Sequence, residues 1–208
     1  MSALRVIALG VLLGLMPAWA STPAAASSPA TAQPAPARPA PMREGAQCRT
    51  IRLSDIGWAD VTATTALFGD IVQDLGYQPQ VTLLSVPVTF ASLKRGNIDV
   101  FLGNWMPAQA PIIASYTRDR SIDVIGPNLS GARYTLAVPE YTYAAGLRTF
   151  QDIERFGSQL DHTIYGLEPG SPADHIVLGM IQKDLFGLGN FHITASSEAG
   201  MLTQVARA

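Results

Sequence analysis

The sequence predicts an α/β protein of two lobes, each built on a mostly parallel sheet, with a ligand cleft between them. Three observations carry that reading. Strand-like and helix-like stretches alternate from about residue 48 to the last residue, the arrangement of βα units whose strands run parallel. The alternation is made twice, over residues 48–132 and 133–208, without repeating its sequence. Residues 133–138, a long alternating stretch between the two runs, are placed to cross from one lobe to the other.

The elements follow in order. Arg5 precedes an apolar run over residues 6–16, and Ala18-Trp19-Ala20 follows as a small-x-small cleavage site. Residues 1–20 therefore read as a secretory signal peptide, the run being shorter than the ~20 apolar residues that span a bilayer. Ser21 stands where a lipoprotein would carry cysteine. Residues 21–47 are rich in Ala and Pro and read as a disordered, polyproline-like linker.

The first lobe opens with a strand over 50–56 and a helix over 61–75. Ala63, Leu67, Ile71 and Leu75 share one face of that helix, and Gly76 closes it. A strand over 81–86, a short helix over 90–95 ended by Gly96, and a strand over 98–102 come next. Pro107 and Pro111 fragment the following helix, and 122–125 reads as a short strand. In the second lobe the strand 133–138 ends at Pro139. A helix over 149–160, a strand over 163–167, a helix over 172–186, a strand over 191–195 and a helix opening near Ser197 follow. The helical pattern is still running at residues 204–208, so a further C-terminal part of the fold is expected.

Composition narrows the function. A net charge of −2 and the lack of any basic cluster argue against nucleic acid or an anionic membrane as partner. His162, His175 and His192 are scattered without metal-ligand spacing, and no cofactor motif occurs. Cys48, the one cysteine, stands where the linker ends. It is either a small buried hydrophobe or the partner of a thiol that this chain does not contain.

Two tryptophans are the most informative residues. Gly57-Trp58-Ala59-Asp60 and Gly103-Asn104-Trp105-Met106-Pro107 each follow a predicted strand, where open α/β sheets form their binding crevice. Ring faces and a carboxylate together suit a cation with no N–H to donate, such as a quaternary ammonium. Structural roles compete: Trp58 as core, Asp60 as N-cap of a helix starting at Val61, Tyr134 buried on the face it shares with Leu136 and Val138. In the 168–174 loop, Ser171 as N-cap, Pro172 at the first helical position and Asp174 two further on form a near capping box. Ser171 also faces the tryptophans if the lobes close. A hydrolase using Ser171, His175 and Asp174 is the reading from another class, but the loop lacks the G-x-S-x-G frame and capping accounts for it.

Taken together, Ser54-Asp55-Ile56-Gly57-Trp58, Leu84-Ser85-Val86-Pro87-Val88-Thr89, Asp99-Val100-Phe101-Leu102-Gly103, Trp105-Met106-Pro107, Tyr134-Thr135-Leu136-Ala137-Val138-Pro139 and Ser196-Ser197-Glu198-Ala199-Gly200-Met201 resemble the substrate-binding proteins of choline and glycine-betaine ABC importers. The choline-binding branch matches best. The resemblance implies a type II periplasmic-binding-protein fold whose lobes close on the ligand about a hinge. It implies an aromatic cage of Trp58, Trp105 and Tyr134, with Asp60 near the ligand's charge and hydroxyl. Ser171 falls where the choline binders carry asparagine. A further cage tryptophan, the segment returning to the first lobe and the partner of Cys48 are implied beyond residue 208. The implied function is that of an exported periplasmic protein, not an enzyme, which captures choline and delivers it to a membrane permease. Glycine betaine or another quaternary amine is the rival ligand, and the sensing domain of a receptor is the rival role.

Overall fold

A computed structural model describes residues 7–8 and 48–207. The remainder of the predicted signal peptide and all of the predicted 21–47 linker lie outside the described residues. Within them the chain forms two three-stranded sheets, ordered β3-β2-β4 and β1-β5-β6, with every pairing parallel.

β1 is Ile7–Ala8, which pairs with β5. The first sheet is centred on β2 (Thr50–Asp55), flanked by β3 (Gln78–Leu83) and β4 (Val100–Phe101). Asp99 joins β4 to β2: its carboxylate accepts from the Arg52 backbone N–H at 2.8 Å and from two guanidinium nitrogens at 2.9 and 2.6 Å. Those bonds hold its carboxyl below the ordinary carboxylate value.

α1 (Ala59–Asp74) starts earlier than the sequence predicts and buries another face. Val61, Thr65, Gly69 and Val72 face inward, while Ala63, Leu67, Ile71 and Leu75 are exposed, Leu67 at 62%. Small residues explain the choice. A Cβ on Gly69 would stand 3.7 Å from the ring of Pro79, so the Thr65/Gly69 side seats the helix close on β3, where a row of Leu and Ile would hold it off.

The predicted 81–86 strand is displaced to β3 because Ser85 turns the chain as N-cap and Pro87 sits in the first turn of α2 (Val86–Lys94). α3 (Ala110–Arg118) begins with Pro111 in its first turn. No strand forms at 122–125, where Ile125 is 96% exposed. The predicted crossover strand 133–138 is also corrected. It has no regular ladder among the described residues, only a single bridge residue at Ala137.

α4 (Glu140–Ala144) follows. The predicted 149–160 helix is broken into a 3-10 turn, Phe150–Asp152, and α5 (Ile153–Phe156). Thr149 and Asp152 form a capping box at its start, and the left-handed Asp161 and His162 lead out toward the next strand. β5 (Thr163–Gly166), α6 (Pro172–Gln182), β6 (His192–Ala195) and α7 (Glu198–Arg207) complete the second half. α6 stops short of residue 186 because Asp184 and Phe186 turn left-handed, and Leu185–Asn190 continues as a 3-10 segment that buries Leu188.

Two apolar clusters result. One lies wholly in the second half, around Leu147, Ile153, Phe156, Leu160, Ile164, Val177, Leu188 and Phe191. The other joins Ile56, Trp58, Val61, Val86, Phe90 and Ile113 to Leu167, Ala173 and Met201, so both sheets' surroundings contribute to it. Cys48 is exposed, which removes the reading of it as a buried hydrophobe. No helix among the described residues is long and apolar enough to cross a membrane.

Candidate functional site

Trp58 is set by the turn that leaves β2. Asp55 accepts from the Gly57 backbone N–H at 2.8 Å and from the Thr62 hydroxyl at 2.8 and 3.0 Å, tying both ends of the turn to one carboxylate. Gly57 takes φ +78, a conformation that L side chains seldom adopt, so the turn can be this tight. Trp58 is then the extended N-cap residue of α1, only 4% exposed.

The Trp105 turn leaves β4 through Gly103. A Cβ there would lie 2.7 Å from Val61 and 2.9 Å from the Phe101 ring, so glycine lets this turn press against the first turn of α1. The Gly103 carbonyl accepts from the buried Gln109 amide at 2.9 Å. The peptide before Pro107 is cis.

These turns bring the predicted aromatic residues together. The Trp58 and Trp105 rings lie 6.4 Å apart at 75°, and the Trp105 and Tyr134 rings 5.8 Å apart at 58°. Asp60 is beside them, but not as the cap that the sequence suggested. The helix begins before it, the N-cap residue Trp58 makes no side-chain cap bond, and Asp60 Oδ2 accepts from the Trp105 indole N–H at 3.1 Å. Its place in the first turn still complements the helix dipole.

Ser171 lies in the facing loop and is 1% exposed. Its hydroxyl oxygen accepts from the Asp174 N–H at 3.2 Å, as the capping reading requires. The reciprocal half of a capping box is absent, because Asp174 Oδ1 accepts from Leu167 N–H at 3.1 Å. Burial pushes the Asp174 carboxyl above its ordinary value, and these hydrogen bonds pull in the opposite direction.

Two carboxylates that sequence reasoning did not select complete the site. Glu168 accepts from the Trp58 indole N–H at 3.1 and 3.2 Å, and Glu198 accepts from the Ala59 backbone N–H at 2.6 Å. Each tryptophan therefore donates its indole proton to a carboxylate: Trp58 to Glu168 and Trp105 to Asp60. Such a bond polarises the ring and makes its face a stronger partner for a cation. Tyr134 has a buried hydroxyl without a hydrogen-bond partner, as does the side-chain oxygen of Asn104. Burial first, and then the charges of Asp174, Glu168, Asp60 and Glu198, raise the Tyr134 pKa well above its ordinary value, so the phenol stays protonated. The sequence placed the 168–174 loop opposite the tryptophans but held no local signal for either glutamate's partner. Those partners stand 110 and 139 residues away.

Residues 49–208 match the OpuAC family, the substrate binding domain of ABC-type glycine betaine transport systems. The chain belongs to this family. The family is one of substrate-binding domains. An uncharacterized protein of Chromohalobacter salexigens, ORF1, is 39% identical over 131 residues, which cover 63% of this chain and 84% of that one. Among solved structures, an ABC-transporter choline binding protein in complex with choline is similar at 48% identity and a TM-score of 0.76. That match covers 79% of this chain and 57% of the other, so the chain spans a little over half the length of that relative. Lactococcal OpuAC, closed on glycine betaine, shares the fold at 23% identity and a TM-score of 0.64. This family member thus has the type II periplasmic-binding-protein fold expected from its motifs, with the ring cluster where its two sheets' elements meet.

Proposed function

We propose that this OpuAC-family chain is exported, captures choline among Trp58, Trp105, Tyr134 and Asp60, with Ser171 on the facing loop, and delivers it to a membrane permease. The observation that carries the reading is the pairing of Trp58 and Trp105 each with a carboxylate around a half-buried, protonated tyrosine. A trimethylammonium group has no N–H to satisfy, so it gains most from ring faces and from nearby full negative charge. Each ring contributes about 0.5–2 kcal/mol to a desolvated cation, whereas micromolar affinity needs about 8 kcal/mol. Burial of the methyl groups, the carboxylate charge and lobe closure supply the rest.

Glycine betaine, the ligand in the family's description, brings its own carboxylate. Here that group would meet Asp60, Glu168, Asp174 and Glu198, which all bear on the same tyrosine. Like charges at short range disfavour it. The similarity to a choline binding protein at 48% identity supports the same choice. The proposed lobes are residues 48–132 and 133–208.

Calorimetric titration with choline, acetylcholine, glycine betaine and carnitine tests the proposal. Choline binds most tightly if it is right. Tighter binding of glycine betaine, or no binding of any of the four, overturns it.

A further inference from the structure

We propose that Glu168 and Glu198 are positioning residues that latch the two lobes through the Trp58 turn, so that Trp58 takes its place in the cage only when the lobes are joined. The inference deepens the choline reading and rests on it for the ligand. Trp58 and Ala59 are consecutive, and each gives an N–H to a carboxylate of the second lobe: the indole to Glu168 in the loop after β5, the backbone to Glu198 at the start of α7.

The two contacts differ in setting: the Trp58 indole bond is part-buried and costly to lose, whereas the Ala59 bond is exposed and fixes direction more than it adds stability. The Ala59 N–H is one of the orphan donors at the start of α1, and no side chain of the first lobe caps that helix. Glu198 satisfies it from the other lobe, with a charge that suits the positive end of the helix. The Trp58 ring is 4% exposed in the cluster shared with Leu167, Ala173 and Met201, so without Glu168 its indole N–H would be buried and unpaired. A charge-assisted bond is about twice as strong as a neutral one, and two on adjacent residues fix both the ring's direction and the turn beneath it. Opening the lobes breaks both together. Their contribution is therefore absent from the encounter of ligand with open protein and present in the closed complex, which places their effect on the dissociation rate.

The test uses the full chain with Glu168→Ala, Glu198→Ala and the acceptor-retaining variants Glu168→Gln and Glu198→Gln. Stopped-flow kinetics with choline should show the dissociation rate rising at least tenfold in each alanine variant, with the association rate changed less than about threefold. The glutamine variants should recover most of the loss, since an amide oxygen still accepts the same proton. Hydrogen exchange without ligand gives a second readout. The Trp58 indole proton is protected in the native protein and exchanges faster in Glu168→Ala, and the Ala59 amide does the same in Glu198→Ala. Unchanged exchange in both alanine variants overturns the latch. So does an affinity loss that falls on association, or glutamine variants as weak as alanine. Should the native protein fail to bind choline, the choline reading falls, and the exchange measurements still decide the latch.

Discussion

Asp60 shows how one residue's role changes when its neighbours are known. Beside a helix start it reads equally as a cap or as a ligand group, and the structure gives its oxygen to the Trp105 indole. Asp60→Asn keeps an acceptor for that indole but removes the charge. Choline affinity should fall and the gap to glycine betaine should narrow; an equal fall for both ligands would leave Asp60 no part in selection. Trp58→Ala and Trp105→Ala each remove a ring face and should weaken choline binding at least tenfold, about 1.4 kcal/mol, in calorimetry on folded protein. Asp174 offers a test through pH. Its folded pKa lies above the unfolded value of 3.8, so its ionisation as pH rises through the folded value removes stability. Asp174→Asn retains an oxygen for the Leu167 N–H and should raise Tm at pH 7, with the gain shrinking below pH 3.8 where the native carboxyl is protonated as well. The turns that set Trp58 and Trp105 were legible in the sequence because turn chemistry is local, whereas Tyr134, read on a strand that does not form, was singled out only by the family resemblance. Glu168 and Glu198 were not, since a carboxylate in a polar loop carries no mark of the distant N–H it will meet.

At the scale of elements, what the sequence conveyed was order and direction: alternating βα units became parallel sheets in both halves. Faces and ends were less legible. In α1 the larger apolar residues suggested one face, yet close seating on β3 favoured the one with Thr65 and Gly69. The stretch 133–138 alternates like a strand, but a strand needs a neighbour, and sequence pattern cannot supply one. Glycines separate the two kinds of constraint. Gly69 lies within α1 at a helical φ, and a methyl there meets Pro79 at 3.7 Å, an ordinary contact. Gly69→Ala should therefore stabilise by about 0.5–1 kcal/mol through helix propensity, visible as a raised urea midpoint with choline affinity unchanged. Gly103→Ala meets Val61 at 2.7 Å and the Phe101 ring at 2.9 Å. It should push the Trp105 turn away from α1, lowering stability and choline affinity together; a variant with native affinity would show that the turn's close seating does not position the ring.

For the molecule as a whole, the two apolar clusters do different work. The cluster around Leu160 belongs entirely to the second half, whereas the cluster around Met201 reaches from α7 to Trp58 and Val61 and so underlies the ring site from both sides. Trp58 is accordingly core by burial and also stands in the ring cluster proposed as the cage, so its two readings from sequence are not exclusive. That shared core gives binding and folding a common origin that a pattern of local elements cannot reveal, because α7 and the Trp58 turn meet only in the folded chain. Met201 and Leu160 are about equally buried, at 1% and 2% exposure. Truncating either side chain to alanine should cost about 2–5 kcal/mol of stability, read by urea denaturation. The consequences for choline should diverge. Leu160→Ala leaves a cavity remote from the cage, and the fraction that remains folded should bind choline with native affinity. Met201→Ala loosens the packing that holds Trp58 against the second half, and should weaken choline binding several-fold at matched folded fraction. Equal affinities for the two variants would mean that the shared cluster stabilises the fold without setting the cage.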